Sequence, residues 1–369
     1  MTQTLEPKSD EDVAEMVRST GDQAIATVGS ATNLGFGNPA EREDIVLSTR
    51  GLNRIVDYVP EDQVVVVEAG ITLGELQVEL GKHGQRLAIE SLGGDGVTIG
   101  GMLATNAYGP SALRYGTLKD LIVGVELVRA DGVVARAGGK VVKNVAGFDV
   151  SKLIVGSLGT LAIITKATFR VHPLPESTRR LTFNAKIANV FPFVLALREA
   201  QLEPSSIAVR INGEDATIEV VFEGFGPGVD AQIAACEGVA KRVTLSVVSA
   251  ANVACAHTVG IEGQKKYRLK ATYPPTEFAR IAREIKGEAL AYPSLGVVHF
   301  GDNATAVASL RATFESLGGT LVVQNMPDEW RGKIDAWGTP PPAFKIMRAL
   351  KDRFDPRRRL NPGRFVGGL

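Results

Sequence analysis

The first 172 residues alternate between two hydrophobic periods, which predicts strands and helices in turn. Four consecutive valines within 63–68 are typical of a buried strand. Thr72 with Glu75 three residues later forms a capping box, and leucines then recur at helical spacing. Further strands are predicted over 24–28, 45–47, 54–59, 121–130 and 160–171, and further helices over 11–19 and 149–155.

From residue 173 the pattern changes to a repeated order of elements. A strand over 180–184 is followed by a helix with Val190, Phe193 and Leu197 on one face, then by two strands and a second helix. The same order begins again at residue 267. Each set matches the ferredoxin-like unit. This part is therefore predicted to be a sheet covered by helices on one face.

Together the two patterns predict an α+β fold in three segments. Residues 1–172 form one domain, and residues 173–338 form a ferredoxin-like cap domain. Residues 339–369 form a linker, a basic helix and a tail that returns to the first domain. The linker is placed at residues 339–342 because three consecutive prolines there stiffen the chain.

Composition and charge narrow the class of protein. The chain has 369 residues, 44% apolar and 22% charged, with 41 basic and 41 acidic side chains. These values exclude a disordered chain, and the balanced charge gives no field to attract nucleic acid. No secretory signal and no apolar run of about 18 residues is present, so a cytoplasmic protein without a transmembrane segment is expected. Two cysteines are too few to hold an iron–sulfur cluster.

A run of small and polar residues follows the strand predicted over 24–28. It lies in VGSATNLGFG, Val28–Gly37, and its candidate binding residues are Gly29, Ser30, Ala31, Thr32, Asn33 and Leu34. Small residues leave backbone N–H groups uncovered, and a tight loop of such groups forms a nest for an anion such as a pyrophosphate. Because Gly, Ser and Asn also dominate ordinary surface turns, this segment alone leaves both interpretations open.

Two more glycine-rich segments lie between Ser91 and Thr160, a stretch that holds 14 of the 40 glycines. Glycine is favoured where φ is positive or where another group approaches the backbone closely. The second segment contains Gly100, Gly101, Thr105 and Asn106, and the third contains Gly156, Ser157, Gly159 and Thr160. The second fits either a flat ligand on the backbone or a tightly packed helix N-terminus. The third can wrap a phosphate or ribose hydroxyls.

In this order the three segments resemble flavoproteins of the vanillyl-alcohol oxidase type, whose FAD-binding domain is named after p-cresol methylhydroxylase (PCMH). The resemblance covers most of residues 25–173 and is most specific in SKLIVGSLGTLAIITKATFRVHPLPE. The stretches GGKVVKNVAGFDVSKLIVGSLGTL, KKYRLKATYPPTEF and FDPRRRLNPGRF also look like the FAD-binding E subunits of bacterial glycolate oxidases. The resemblance implies a PCMH-type FAD-binding domain followed by the ferredoxin-like cap.

The resemblance also implies what each segment does. The first, Gly29–Leu34, holds the FAD pyrophosphate. The second lies along the flavin and diphosphate, and the third closes over the ribose and adenine, which maps onto Thr98, Gly100, Gly101, Thr105, Asn106, Gly156, Ser157, Gly159, Thr160 and Ile163. Ser30 and Ala31 stand where the family usually has glycines, a departure that bears on loop closure around the pyrophosphate. Relatives with covalent flavin carry a histidine in or near these loops; none stands here, so non-covalent FAD is expected.

Oxidation of a 2-hydroxy acid on flavin needs a cation for the carboxylate and a base near the hydroxyl. His299 in HFGDN resembles the first histidine of a His-x-Gly-Asp-Gly-Asn-x-His stretch in D-2-hydroxy-acid dehydrogenases, but the second glycine and the final histidine are missing. No His-x-His is present to complete a metal site, so none is expected. His299 is thus a catalytic candidate, with a structural histidine as the alternative. Arg114, Tyr115 and Lys143 lie in or beside the FAD segments, and the cation and base stay unassigned.

Three functions remain open at this point. The resemblance implies a subunit that oxidises glycolate to glyoxylate together with a second FAD subunit and an iron–sulfur subunit, which would hold it at the inner face of the membrane. The missing histidines favour oxidation in the partner, with this FAD relaying electrons or supporting assembly. The alternatives are a self-sufficient FAD-dependent dehydrogenase of another 2-hydroxy acid, and a structural subunit without flavin.

Overall fold

The computed structural model describes residues 3–139, 148–252 and 269–369. The chain divides into two compact units. The first contains residues 1–108, 117–174 and 326–369, and the second contains residues 109–116 and 175–325. The sequence predicted cuts at 172 and 338, so residues 326–338 join the first unit rather than the cap, and residues 109–116 join the second.

The elements up to residue 174 are β1 (Gln3–Leu5), α1 (Asp10–Ser19), β2 (Ile25–Val28), β3 (Ile45–Ser48), β4 (Ile55–Val59), β5 (Val64–Glu68), α2 (Leu73–Gly81), β6 (Gln85–Arg86), α3 (Ile99–Thr105), α4 (Ala112–Tyr115), α5 (Leu118–Leu121), β7 (Ile122–Val128), β8 (Val134–Gly138), α6 (Val150–Ile154), β9 (Ile163–Arg170) and β10 (His172–Pro173). The remaining elements are β11 (Ser177–Lys186), α7 (Ile187–Glu199), β12 (Ser206–Asn212), β13 (Asp215–Gly224), α8 (Gly226–Arg242), β14 (Ser246–Asn252), β15 (Leu269–Thr272), α9 (Phe278–Glu284), β16 (Glu288–Tyr292), β17 (Val297–Phe300), α10 (Val307–Ser316), β18 (Thr320–Val323) and α11 (Phe344–Phe354).

The first unit is built on two larger sheets, and β6 and β10 form a separate antiparallel pair. A parallel sheet has the order β1-β3-β2, and an antiparallel sheet has the order β4-β5-β9-β7-β8. Helix α1 packs Val13 and Val17 against Ile25 and Leu47 of the parallel sheet. Helix α2 begins with the predicted capping box, in which Thr72 and Glu75 satisfy each other's backbone amides. These contacts bury the apolar face that each helix pattern predicts.

The C-terminal tail is part of this first unit. Leu360 forms a parallel bridge with Ile25 at the edge of β2. The ammonium of Lys351 on α11 is buried and donates to Asp355 at 2.7 Å and to the carbonyl of Thr160 at 2.8 Å. Because a buried charge is tolerated only when it is paired and hydrogen-bonded, this contact fixes the tail against the third glycine-rich segment.

The second unit has two ferredoxin-like βαββαβ sets whose strands join into one sheet. The strand order is β14-β11-β13-β12-β16-β17-β15-β18. Within each set the fourth strand pairs with the first, the first with the third, and the third with the second. The two sets are joined by the pairing of β12 with β16. One face of the sheet carries the helices. Phe193 of α7 contacts Phe183, and Phe314 of α10 stacks on Phe300. The predicted α+β fold class is confirmed.

The sequence pattern did not predict the short strands β1, β6 and β10, nor the longer strands β8 and β14. Strand β8 follows a turn at Asp131 and Gly132 and has the sequence VARAG, which lacks a run of β-branched residues. Strand β14 is exposed along its whole length at the edge of the sheet. An edge strand without a buried face has no reason to alternate apolar and polar residues, so periodicity does not reveal it.

Candidate functional site

A small groove of about 70 Å³ brings together parts of all three glycine-rich segments in the first unit. The first segment supplies most of its wall, because it leaves β2 as an irregular loop. Helix α3 supplies the second part and the loop after α6 the third. The groove is lined by Thr27, Val28, Gly29, Ser30, Ala31, Thr32, Asn33, Leu34, Thr98, Gly101, Ala104, Thr105, Leu158 and Arg364.

The wall of this groove consists largely of free backbone donors. The amides of Ser30, Ala31, Thr32, Asn33 and Leu34 donate to no other described residue. Ala31 has φ +60°, a left-handed conformation that turns successive N–H groups toward one side. Such a concave run of uncompensated N–H groups attracts an anion. The loop therefore has the structure of the predicted pyrophosphate nest.

Close backbone contacts hold the first segment against α3. A Cβ atom on Gly29 would lie 2.1 Å from Oγ1 of Thr98, so a larger residue cannot occupy this position without displacing that side chain. The hydroxyl of Ser30 accepts a hydrogen bond from the amide of Thr98 at 3.3 Å. Ser30 thus gives the loop an anchor that glycine would lack, which supplies a physical role for this departure from the family pattern.

The remaining predicted residues of the second segment lie beside the groove. A Cβ atom on Gly100 would lie 2.9 Å from Cβ of Ala69, so this glycine serves the packing of α3. Asn106 ends α3 in the left-handed conformation, and its Oδ1 is buried without a hydrogen-bond partner. A buried acceptor without a partner is costly, and a donor from a bound ligand would relieve that cost.

The third segment contributes through Leu158, which the sequence did not select. Gly156 and Gly159 have φ values of +86° and +67°, the conformation that favours glycine at these positions. Ser157 is buried with its hydroxyl unpartnered. The Thr160 hydroxyl donates to the Ser157 carbonyl at 2.7 Å. The Ile163 side chain is fully buried in the core beneath the parallel sheet, so only the backbone of this residue is available to a ligand.

Arg364 in the tail is the cation of the groove. Its Nη2 donates to the carbonyls of Leu34 and Phe36 at 2.8 and 2.9 Å. Burial lowers the pKa of its guanidinium, an expected effect of removing a cation from water. An anion in the groove would offset that desolvation. The sequence predicted that the tail returns to this region, but no local signal separates Arg364 from the other arginines of the tail.

These features fit the pyrophosphate part of FAD. A nest of free amides, an arginine and unpartnered buried oxygens at Asn106 and Ser157 are the donors and acceptors that a dinucleotide would use. Among the described residues no histidine lines the groove. His83 instead contacts Tyr58 edge to face, and His172 lies in β10.

A second cluster lies in the second unit, where β17 pairs with β15. The register places Lys270 directly opposite His299, and Gln324 follows directly after β18. Since Phe300 stacks on Phe314 of α10, the preceding His299 points to the opposite face of the sheet. Tyr292 contacts the imidazole edge to face, with centroids 5.7 Å apart.

The hydrogen bond to Gln324 fixes the state of the imidazole. Nδ1 of His299 lies 2.9 Å from Oε1 of Gln324. An amide oxygen only accepts, so Nδ1 carries the proton and Nε2 keeps a lone pair. Burial, then the positive charge of Lys270, lowers the pKa of His299 to about 3, and burial lowers the pKa of Lys270 to about 8. At neutral pH the pair is an ammonium beside a neutral imidazole.

The other sequence candidates are structural or lie outside the described residues. Arg114 donates to the carbonyl of Glu223 at 2.7 Å, and the Tyr115 hydroxyl bonds its carboxylate at 3.1 Å. Lys143 and Cys255 are not among the described residues. Cys236 is buried, which raises the pKa of its thiol to about 12.

The described residues contain no group of three or more His, Cys, Asp or Glu side chains arranged to hold a metal ion. None of the described helices is long and apolar enough to cross a bilayer.

Comparison with known proteins agrees with the groove. Residues 2–138 match the model of an FAD binding domain. The chain is 29% identical to D-lactate dehydrogenase of Archaeoglobus fulgidus over 99% of its length and 91% of the relative. It is 25% identical to glycolate oxidase subunit GlcD of Bacillus subtilis over 98% of its length and 88% of the relative. An alkyldihydroxyacetonephosphate synthase structure superposes with a TM-score of 0.72 at 18% identity, covering 97% of this chain and 75% of that one.

These similarities agree with the expected cofactor and reaction class. The first part of the chain is an FAD binding domain of the PCMH type, homologous to that of D-lactate dehydrogenase and of GlcD. The cofactor is FAD, and the chain is an FAD-dependent oxidoreductase. The solved structure shares the fold.

Proposed function

We propose that this chain itself oxidises a short 2-hydroxy acid, of the lactate or glycolate class, to the 2-oxo acid. The observation that carries the proposal is the pairing of Lys270 on β15 with His299 on the neighbouring strand β17. It places an ammonium beside a neutral imidazole. A cation and a base side by side are what a 2-hydroxy carboxylate requires. Relatives that align along nearly the whole chain act, by their names, on D-lactate, glycolate and D-2-hydroxyglutarate.

Each residue of the cluster has a defined task. Lys270 binds the substrate carboxylate, and Nε2 of His299 accepts the hydroxyl proton while the adjacent C–H bond breaks. Gln324 holds the imidazole in the tautomer that leaves Nε2 free to accept it. Bound FAD supplies the hydride acceptor at the flavin N5. The cluster therefore holds the carboxylate and takes the hydroxyl proton, and the oxidation itself would require the bound cofactor.

The electrostatics of the pair change when a carboxylate binds. In the free protein the charge of Lys270 contributes to the low pKa of His299. A bound carboxylate offsets that charge, so the pKa of His299 rises toward the range in which an imidazole is an effective base. Substrate binding thus makes the His299 imidazole a stronger base than it is in the empty site.

The FAD is expected to be held without a covalent bond. The amides of Ser30 to Leu34 and Arg364 hold the pyrophosphate, and Asn106 and Ser157 contact other parts of the dinucleotide. Acid precipitation of the purified protein tests this expectation. Yellow flavin in the supernatant supports it, whereas flavin that stays with the pellet contradicts it.

A second candidate is the FAD subunit of a glycolate-oxidising complex. It is supported by the similarity to GlcD along 98% of the chain. In this role the chain passes electrons to a second FAD subunit and an iron–sulfur subunit, which would also bring it to the inner face of the membrane. The two candidates differ in whether the isolated chain turns over substrate.

The deciding experiment is an anaerobic visible spectrum of the isolated, FAD-loaded chain with glycolate or D-lactate, and with dithionite as the positive control. Bleaching of the flavin bands by either acid, lost in His299→Asn, supports the proposal. Bleaching by dithionite alone contradicts it and favours the complex subunit. A chain that purifies without flavin and cannot be loaded would indicate a structural subunit.

A further inference from the structure

A cavity of about 440 Å³ in the first unit is lined by five arginines and one acidic residue. We name it the arginine cleft and define it by Arg18, Arg129, Arg353, Arg357 and Arg359, with Phe354 and Pro356 as its apolar part. Its volume lies within the range of small-molecule sites, about 300–1,000 Å³. The cleft is formed where α1, the turn after β7 and the tail after α11 meet.

At the base of the cleft lies a buried cation whose side chain makes no hydrogen bond to a carboxylate, although Asp355 and Asp22 are near enough to interact with its charge. Arg359 is 4% exposed, and its guanidinium donates only to neutral oxygens, namely the carbonyls of Val17, Gln23 and Ala130 and the hydroxyl of Thr20. Burial lowers its pKa, which is the mark of a cation that has lost its hydration. Because a buried charge is less screened by water, it attracts an anion in the cleft more strongly than an exposed charge would.

The walls of the cleft add further arginines, and only some of these form ion pairs with acidic side chains. The side chain of Arg353 makes no hydrogen bond or ion pair to any described residue. Arg18 donates one N–H to the carbonyl of Gly132. Arg129 is paired with Asp131 at 2.8 Å, and Arg357 with the exposed Asp22 outside the cleft lining. Several guanidinium groups around one space match the oxygens of a phosphate, which they bind in a bidentate manner.

The cleft is separate from the FAD groove. Arg359 donates to the carbonyl of Gln23, just before β2 begins, whereas the FAD loop follows the other end of that strand from Gly29. Six residues of extended chain span about 20 Å. A ligand in the cleft therefore lies at the opposite end of β2 from the pyrophosphate nest.

We propose that the arginine cleft binds a small molecule bearing a diphosphate, at a second anion site distinct from the FAD groove. Arg353 and Arg129 contact the phosphate oxygens, and Arg359 supplies the charge at the base. Phe354 offers a ring on which a nucleobase can stack, so the diphosphate is either free or part of a nucleotide. The proposal is independent of the substrate proposed above.

The test is isothermal titration calorimetry of the FAD-loaded chain with pyrophosphate and with ADP, at constant ionic strength. Saturable binding is expected, weakened about tenfold in Arg353→Gln, as for loss of a charged hydrogen bond. The matched control is Arg348→Gln, which lies on the same helix over the ring of Phe344 and outside the cleft. Circular dichroism checks that both variants fold.

Each outcome bears on the proposal. Tighter binding of ADP than of pyrophosphate supports a nucleotide, and equal binding supports a free diphosphate. No saturable heat, or unchanged affinity in Arg353→Gln, overturns the proposal. Binding that is lost in Arg364→Gln instead overturns it as well, because the probe would then occupy the FAD groove.

Discussion

The proposed FAD groove of the first unit and the proposed substrate cluster of the second unit are built in opposite ways. The groove presents backbone amides of one continuous segment, Ser30 to Leu34, with a single arginine added by the tail. The cluster consists of side chains from β15, β17 and the end of β18. A site made of backbone amides is expected to tolerate substitution among small residues, such as Ser30 and Ala31 in place of glycines. A site made of side chains depends on each residue and on strand register, so substitutions there have larger effects.

The largest effect is expected for His299→Asn. Loss of the base is expected to lower kcat about a thousandfold, within the range for general base catalysis, while flavin content stays unchanged. Steady-state turnover with D-lactate and a dye acceptor measures it. The control is His83→Gln, a helix-end histidine against Tyr58. Equal turnover in both variants would make His299 a structural residue.

The next effect concerns the carboxylate cation. Lys270→Met is expected to raise KM and lower kcat/KM about a hundredfold, because a charged hydrogen bond to the substrate is lost. Lys270→Arg keeps the charge and is expected to recover part of the loss. The same dye assay measures both variants. If flavin content fell as much as kcat/KM, Lys270 would instead be a residue that supports folding.

The pH profile separates the two residues without mutation. Lys270 binds carboxylate as the ammonium, so kcat/KM is expected to fall as pH rises above its pKa of about 8, about tenfold per pH unit. His299 acts as the neutral form, and its pKa of about 3 predicts no decline between about pH 5 and 8. In Lys270→Arg the basic decline is expected to move to higher pH. An unchanged decline in that variant would assign it to another group.

In the groove a smaller effect is expected from Arg364→Gln. FAD affinity is expected to fall about tenfold, as one charged contact to the pyrophosphate is lost while the backbone amides remain. Fluorescence titration of the apo-protein with FAD measures it. Arg358→Gln is the control, since Arg358 pairs with Asp352. Equal affinities would remove Arg364 from the cofactor site.

The smallest effect is a gain in stability. Ala31 has φ +60°, which costs an L-residue about 1 kcal/mol relative to glycine. Ala31→Gly is therefore expected to raise the free energy of unfolding by up to that amount in urea denaturation. Ala26→Gly in β2 is the control and is expected to have the opposite sign. A destabilised Ala31→Gly would mean that the loop gains more from the Ala31 side chain than it loses in strain.

The sequence alone determined the fold class, because the apolar periods and the capping box at Thr72 reflect local preferences that the tertiary structure retains. It also indicated the loop proposed here to hold the pyrophosphate, since a nest is made of consecutive residues. The partners of Arg364, and the pairing of Lys270 with His299, were determined only by the tertiary structure. These residues lie far from their partners along the chain, and strand register or tail docking brings them together. Local periodicity cannot report contacts that depend on which distant strands become neighbours.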